Sequence, residues 1–93
     1  MVTSYERGRA FEYRVKHFLE KQGYFVIRSA GSKFPDLVAI KNGKVLAVEV
    51  KKNKPSPSVL QEVEQKAKEL FKYGVTPCLA YLDLDGKIKL VVL

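Results

Sequence analysis

The chain has 93 residues, one cysteine and a formal net charge of +7. A chain of this length folds as one small domain, here taken as residues 1–93, that buries only about 60–65% of its unfolded surface, which leaves no room for a large cofactor pocket. The lone Cys78 excludes an internal disulfide framework and a cysteine-based zinc cage, and packs as a small hydrophobe in its apolar run. The N-terminus is polar from Thr3 to Arg9 and no apolar run approaches membrane-spanning length, so the composition reads as an intracellular, cytoplasmic protein without signal peptide or membrane segment. The charge is uneven: residues 1–58 carry 12 Lys and Arg against 5 Asp and Glu, whereas residues 59–93 carry 5 of each. Such segregation points to a polyanion, nucleic acid before an anionic membrane surface, although lysines also serve simple solubility.

In chain order, Thr3-Ser4-Tyr5-Glu6 fits a capping box and predicts a helix. Phe11, Val15, Phe18, Leu19 and Gln22 follow helical spacing as one buried stripe, and Gly23 ends it. Glu12 lies beside the stripe, where it either leans toward the sheet as a third carboxylate or is solvated with Lys16 as its i+4 partner. Gly8, one turn earlier, either admits a phosphate backbone closely or relieves crowding, despite costing about 1 kcal/mol relative to alanine inside a helix. Residues Tyr24 to Ser29 read as a strand, with Phe25 and Ile27 on one face and Tyr24, Val26 and Arg28 on the other. The loop Ala30-Gly31-Ser32-Lys33 offers hydroxyl and N–H groups to a phosphate, or is an ordinary small-residue turn.

The central stretch is a hairpin. Asn42-Gly43 between two apolar runs signals a two-residue type I′ turn, and counting back from Lys41 and Lys44 sets Ile40 against Val45, Val38 against Ala47 and Asp36 against Glu49. Two carboxylates directly across a strand pair repel, with Cβ atoms about 4.5–5.5 Å apart, and Lys51 projects from the same face. A divalent cation between them removes that repulsion, since Mg²⁺ is held by one or two carboxylates plus waters and substrate phosphates. The plainer alternative is a hairpin with a solvated polar face and a weak surface ion pair. Past Lys51, the basic, proline-broken run Lys52-Asn53-Lys54-Pro55-Ser56-Pro57 reads as an exposed connection able to meet DNA.

Ser58-Val59-Leu60-Gln61 fits a second capping box, followed by an apolar stripe of Leu60, Val63, Ala67, Leu70 and Phe71 and closed by Gly74. The capping role accounts for Gln61, which otherwise lies where it could touch a phosphate. Thr76 to Leu82 and Ile88 to Leu93 are strand-like, and Asp83-Leu84-Asp85-Gly86-Lys87 is a turn rather than a calcium loop. His17, the only histidine, sits among charged helix residues and is expected to be exposed.

The predicted fold is α/β: a single small domain with a five-stranded mixed β-sheet flanked by helices, in the order α-β-β-β-α-β-β. A helical Glu12, Arg28-Ser29-Ala30-Gly31-Ser32 ending a strand, Asp36-Leu37-Val38-Ala39 and Glu49-Val50-Lys51 together resemble the PD-(D/E)XK nuclease superfamily, and within it the archaeal Holliday junction resolvases. The resemblance spans almost the whole chain and implies a restriction-endonuclease-like fold. It implies that Glu12, Asp36 and Glu49 ligate Mg²⁺, with Mn²⁺ as a substitute, or orient its ligands, and that Lys51 assists the attacking water. It further implies that Arg28 lies at the DNA surface and Ser32 near the active site, with branched DNA as partner and a homodimer; the charge and loop chemistry of the chain adds Arg7, Gly8, Arg9, Lys33, Lys52 and Lys54 as expected DNA contacts, with neither membrane nor small-molecule cofactor expected. The resemblance also implies hydrolysis of a phosphodiester to a 5′-phosphate and a 3′-hydroxyl. Departures from the resolvase pattern are Tyr13 in place of a basic residue after Glu12, a proline- and serine-rich loop after Lys51, and the lack of a further segment after Leu93. A nuclease of the same fold acting on other DNA, or a noncatalytic DNA-binding domain, are the competing expectations.

Overall fold

The structure is a computed structural model that describes residues 4–29 and 34–93, with the side chains of Ser4 and Tyr5 excluded. Its elements run α1 (Ser4–Lys21), β1 (Phe25–Arg28), β2 (Leu37–Lys41), β3 (Lys44–Asn53), α2 (Pro57–Phe71), β4 (Thr76–Leu82) and β5 (Ile88–Val92), the predicted order. The expected capping residue Thr3 and the loop residues Ser32 and Lys33 lie outside the described residues.

Helix α1 buries Phe11, Val15 and Leu19, with Phe18 partly buried, because residues three and four apart share one face. Gln22 is exposed rather than part of that stripe. The helix ends where Gly23 takes φ +93°, and the Lys41 ammonium donates to the Gln22 carbonyl at 2.7 Å, neutralising an orphan acceptor of the last turn.

The five strands are hydrogen-bonded in the order β1-β2-β3-β4-β5. All neighbours are antiparallel except β3 and β4, which run parallel and are joined by α2 as a crossover. Asn42 and Gly43 both take positive φ, 49° and 78°, and the hairpin they close pairs Lys41 with Lys44, Ile40 with Val45 and Val38 with Ala47, as counted from the sequence.

Alternation along β3 divides the protein into layers. Leu46 and Val48 join Leu37, Ala39, Val26, Cys78 and Ala80 in one core beneath α1. Ala47 and Glu49 point to the other face, where α2 covers β4 and buries Val63 and Ala67. The start of α2 differs from expectation: Ser56, not Ser58, is the N-cap, its Oγ accepting from the Val59 N–H at 3.4 Å, with Pro57 in the first turn. Proline is preorganised for that position and lacks the N–H that would be orphaned there, so it starts the helix instead of breaking the connection. Gln61 is consequently an exposed residue of the helix body and has no capping role.

Candidate active site

Asp36 sits one residue before β2, just past the last paired row, Leu37 with Val48. It is fixed by its backbone: the Asp36 N–H donates to the Val48 carbonyl at 3.0 Å, and the Ser29 N–H donates to the Asp36 carbonyl at 2.9 Å, so the residue ties β1 to β3. Its carboxylate Oδ2 accepts from the Val50 N–H at 2.8 Å. This bond holds the side chain against the segment of β3 that carries Glu49. Strand β3 therefore positions Glu49 and Lys51, two residues apart on one face, and the hairpin brings Asp36 to them.

Glu49 is the one buried charged residue among those described, 7% exposed. Burial, then hydrogen bonding and repulsion from Asp36, push its carboxyl up to about 8, while Lys51 and Lys66 pull it the other way. Without a cation, Glu49 keeps a proton at neutral pH because two adjacent carboxylates cannot both ionise at low cost. Lys66, from α2 between the buried Val63 and Ala67, is a site neighbour missed in the sequence. Its helical register with those two apolar residues is the signal that could have found it.

The other expected ligand, Glu12, is not gathered with this pair. The Arg28 Nε–H donates to Glu12 Oε1 at 2.7 Å, a partly buried ion pair, and the Arg28 guanidinium lies 5.1 Å over the Tyr13 ring. Arg28 shares the α1 face of β1 with Val26, whereas Asp36 and Glu49 belong to the opposite side of the sheet. Among the described residues no three of His, Cys, Asp and Glu come close enough together to hold a metal ion. Asp36 and Glu49 are thus the two carboxylates brought together here, an oxygen-rich pair of the chemistry that hard divalent cations accept alongside water and phosphate. Lys16, the alternative partner of Glu12, instead pairs with Glu20 at 3.1 Å. His17 is exposed and hydrogen-bonded to Glu20 at 3.1 Å.

Of the expected DNA contacts, Arg7, Gly8, Arg9, Lys52 and Lys54 are exposed. A Cβ added at Gly8 would meet nothing within 4 Å, so the glycine does not relieve crowding inside the protein and leaves its backbone open to solvent. Arg28 is half-buried in the Glu12 pair. Lys52 lies where the β3–β4 register shifts between Lys51 and Asn53, an irregularity of the kind that re-aims side chains beside functional sites. No helix of the described residues is long and apolar enough to cross a membrane.

The profile of the archaeal Holliday junction resolvase family, Hjc, matches residues 3–76. The chain is 38% identical over 90 residues to the crossover junction endodeoxyribonuclease Hjc of Methanocaldococcus jannaschii, covering 95% of this chain and 67% of that protein. Its fold superposes with a TM-score of 0.68, at 25% identity, on Archaeoglobus fulgidus Hjc, a Holliday junction resolvase from an archaeal hyperthermophile, covering 92% of this chain and 72% of that one. With a match over this much of its length, the chain belongs to the archaeal Holliday junction resolvase (Hjc) family.

Proposed function

We propose that this protein is a divalent-metal-dependent endonuclease that cuts four-way DNA junctions, with Asp36, Glu49 and Lys51 as its catalytic residues. The observation that carries the residue assignment is the buried Glu49 carboxyl pressed against Asp36 in a family of junction nucleases. Mg²⁺ is the cation this donor set favours, and Mn²⁺ should replace it, because both accept oxygen ligands in a small coordination shell. When bound, the cation supplies a lowered water pKa and positive charge opposite the phosphate.

The chain's own groups do the rest. Asp36 is held rigid by the Val50 N–H, and Glu49, once it has released its proton to solvent, would be the second oxygen ligand. Lys51, from the same face, holds the attacking water or neutralises a non-bridging phosphate oxygen. The water oxygen attacks phosphorus opposite the 3′ oxygen, the P–O3′ bond breaks, and the leaving oxygen takes up a proton, giving a 5′-phosphate and a 3′-hydroxyl. Glu12 acts through Arg28, holding the guanidinium at the strand end opposite Leu37, next in sequence to Asp36. Ser32 and Lys33 in the preceding loop, with Arg7, Gly8, Arg9, Lys52 and Lys54, are the proposed backbone contacts to DNA.

Resolving a junction takes two symmetric nicks, hence two active sites related by a twofold axis. The large apolar side chains left exposed on the second helix and the turn after it, Phe71 at 57% and Tyr73 at 69%, with Val91 and Val92 on the edge strand β5, are the surfaces available for a homodimer. A cleavage panel of four-way junction, flap, duplex and single strand, run with Mg²⁺ and with EDTA, tests the reading. Paired nicks in the junction alone are expected; equal cutting of all four would reject junction selectivity, and no cutting with Mg²⁺ would leave only a DNA-binding role.

A further inference from the structure

On the α1 side of the sheet, away from the acids, lies an open cleft of about 230 Å³ lined by Arg7, Ala10, Phe11, Arg14, Lys52 and Leu82. Its lining combines three cations with three apolar residues and includes no acid. Arg7 and Arg14 flank Phe11 at one helical turn on either side, so α1 presents both guanidinium groups along the same edge. The Arg14 guanidinium lies 5.9 Å over the Phe11 ring, and neither arginine nor Lys52 forms an ion pair with an acid among the described residues. The volume falls below the roughly 300–1,000 Å³ of pockets that enclose drug-sized ligands, a size that suits one planar ring system.

The cleft is joined to the active site through a single strand. Lys51 belongs to the face of Asp36 and Glu49, and the next residue, Lys52, lines the cleft on the other face at the point where β3 slips its register against β4. A DNA strand crossing the end of β3 therefore meets the two lysines in succession.

We propose that this cleft is a subsite for one unpaired deoxynucleotide of the DNA substrate, its base lying against Ala10, Phe11 and Leu82 and its phosphate held by Arg7, Arg14 and Lys52. The assignment rests on the reading of the chain as a DNA nuclease and extends it: the subsite accepts a nucleotide freed from pairing next to a strand exchange, which continuous duplex cannot offer. Bases released from a stack are commonly held on aromatic rings and arginine planes, with cations on the adjacent phosphates. Arg14 thereby becomes a specificity-determining contact that charge counting along the sequence did not single out.

The test uses the full chain in EDTA, so that binding is read without cutting, and a four-way junction carrying 2-aminopurine at the exchange point. Binding should change the probe's fluorescence, and the same probe placed inside a duplex arm should not respond. Arg14→Gln, at an exposed position where folding is not at stake, should weaken junction binding about tenfold, reduce the salt slope by about one, and remove most of the fluorescence change. Lys87→Gln, an exposed charge on the β4–β5 turn, should leave all three unaltered. An abasic nucleotide at the exchange point should bind several-fold more weakly; binding equal to that of the base would reduce the cleft to a phosphate contact and overturn the proposal. So would an unchanged probe signal in Arg14→Gln. In the wild-type protein, no probe signal with cutting intact refutes the subsite alone, whereas a probe signal with no cutting in Mg²⁺ refutes the nuclease reading and keeps the subsite.

Discussion

Replacing Glu49 by glutamine should make the metal-free protein more stable at pH 8 while changing little at pH 4.5 or below. The unfolded chain releases the Glu49 proton near pH 4.5, whereas the folded protein holds it to about pH 8 through burial and the adjacent Asp36. Between those values the folded state carries a proton that the unfolded state has lost. Stability therefore falls as pH rises from about 4.5 to about 8 and levels off above that. The interval of about 3.5 units, at about 1.36 kcal/mol per unit, sets a ceiling near 5 kcal/mol, and screening by Lys51, Lys66 and the solvent that reaches the site reduces it to about 2–3 kcal/mol. Glutamine keeps the shape and a hydrogen-bond donor toward Asp36 but never ionises. Urea unfolding in EDTA at pH 5 and pH 8 reads the effect: with a slope of about 1–3 kcal/mol per molar urea, the wild-type midpoint should fall by about 1 M or more relative to the variant's. Parallel pH profiles for the two proteins would refute the argument. Adding Mg²⁺ at pH 8 should restore wild-type stability by mass action and leave the variant unmoved.

Other outcomes follow from the same geometry. Asp36→Asn should abolish junction cutting in Mg²⁺ while gel-shift affinity in EDTA stays within a few-fold of wild type; retained cutting would remove Asp36 from the site. Lys51→Met should lower the single-turnover cleavage rate by about 10²–10⁴ with little effect on junction affinity, measured by quenched-flow cleavage. Glu12→Gln should cost about 1–3 kcal/mol in chemical denaturation, because it leaves the half-buried Arg28 without its charged acceptor. Phe71→Ser should shift the protein toward monomer in sedimentation equilibrium if α2 forms the dimer surface, and leave the mass unaltered if it does not.

Much of the fold is written locally in the chain. Asn42-Gly43 needs two positive φ angles, and once that turn is placed, period-two counting reaches Asp36 and Glu49 without further information. The stripe of Phe11, Val15 and Leu19 likewise follows from helical spacing alone. What the chain did not disclose depends on neighbours distant in sequence. Glu12 lies 16 positions before Arg28, and only the packing of α1 on the sheet decides that it meets the guanidinium rather than the two acids. Lys66 shares the register of the buried Val63 and Ala67, which turns it toward the sheet, but only the crossing of α2 between the parallel strands decides that the acid it meets is Glu49. The cap at Ser56 is hidden in the chain because Ser58-Val59-Leu60-Gln61 offers a competing capping box and Pro57, a breaker elsewhere, here suits the first turn of the helix.

The central claim, that Asp36 and Glu49 share one divalent cation, is tested most directly by proton release on metal binding. Titrating the protein with Mg²⁺ at pH 7 in buffers of different ionisation enthalpy should show close to one proton released per ion bound, falling toward zero by pH 9 as Glu49 ionises unaided. The heat and the proton should both vanish in Glu49→Gln. Metal binding that releases no proton at pH 7, or that persists in this variant, would contradict the account.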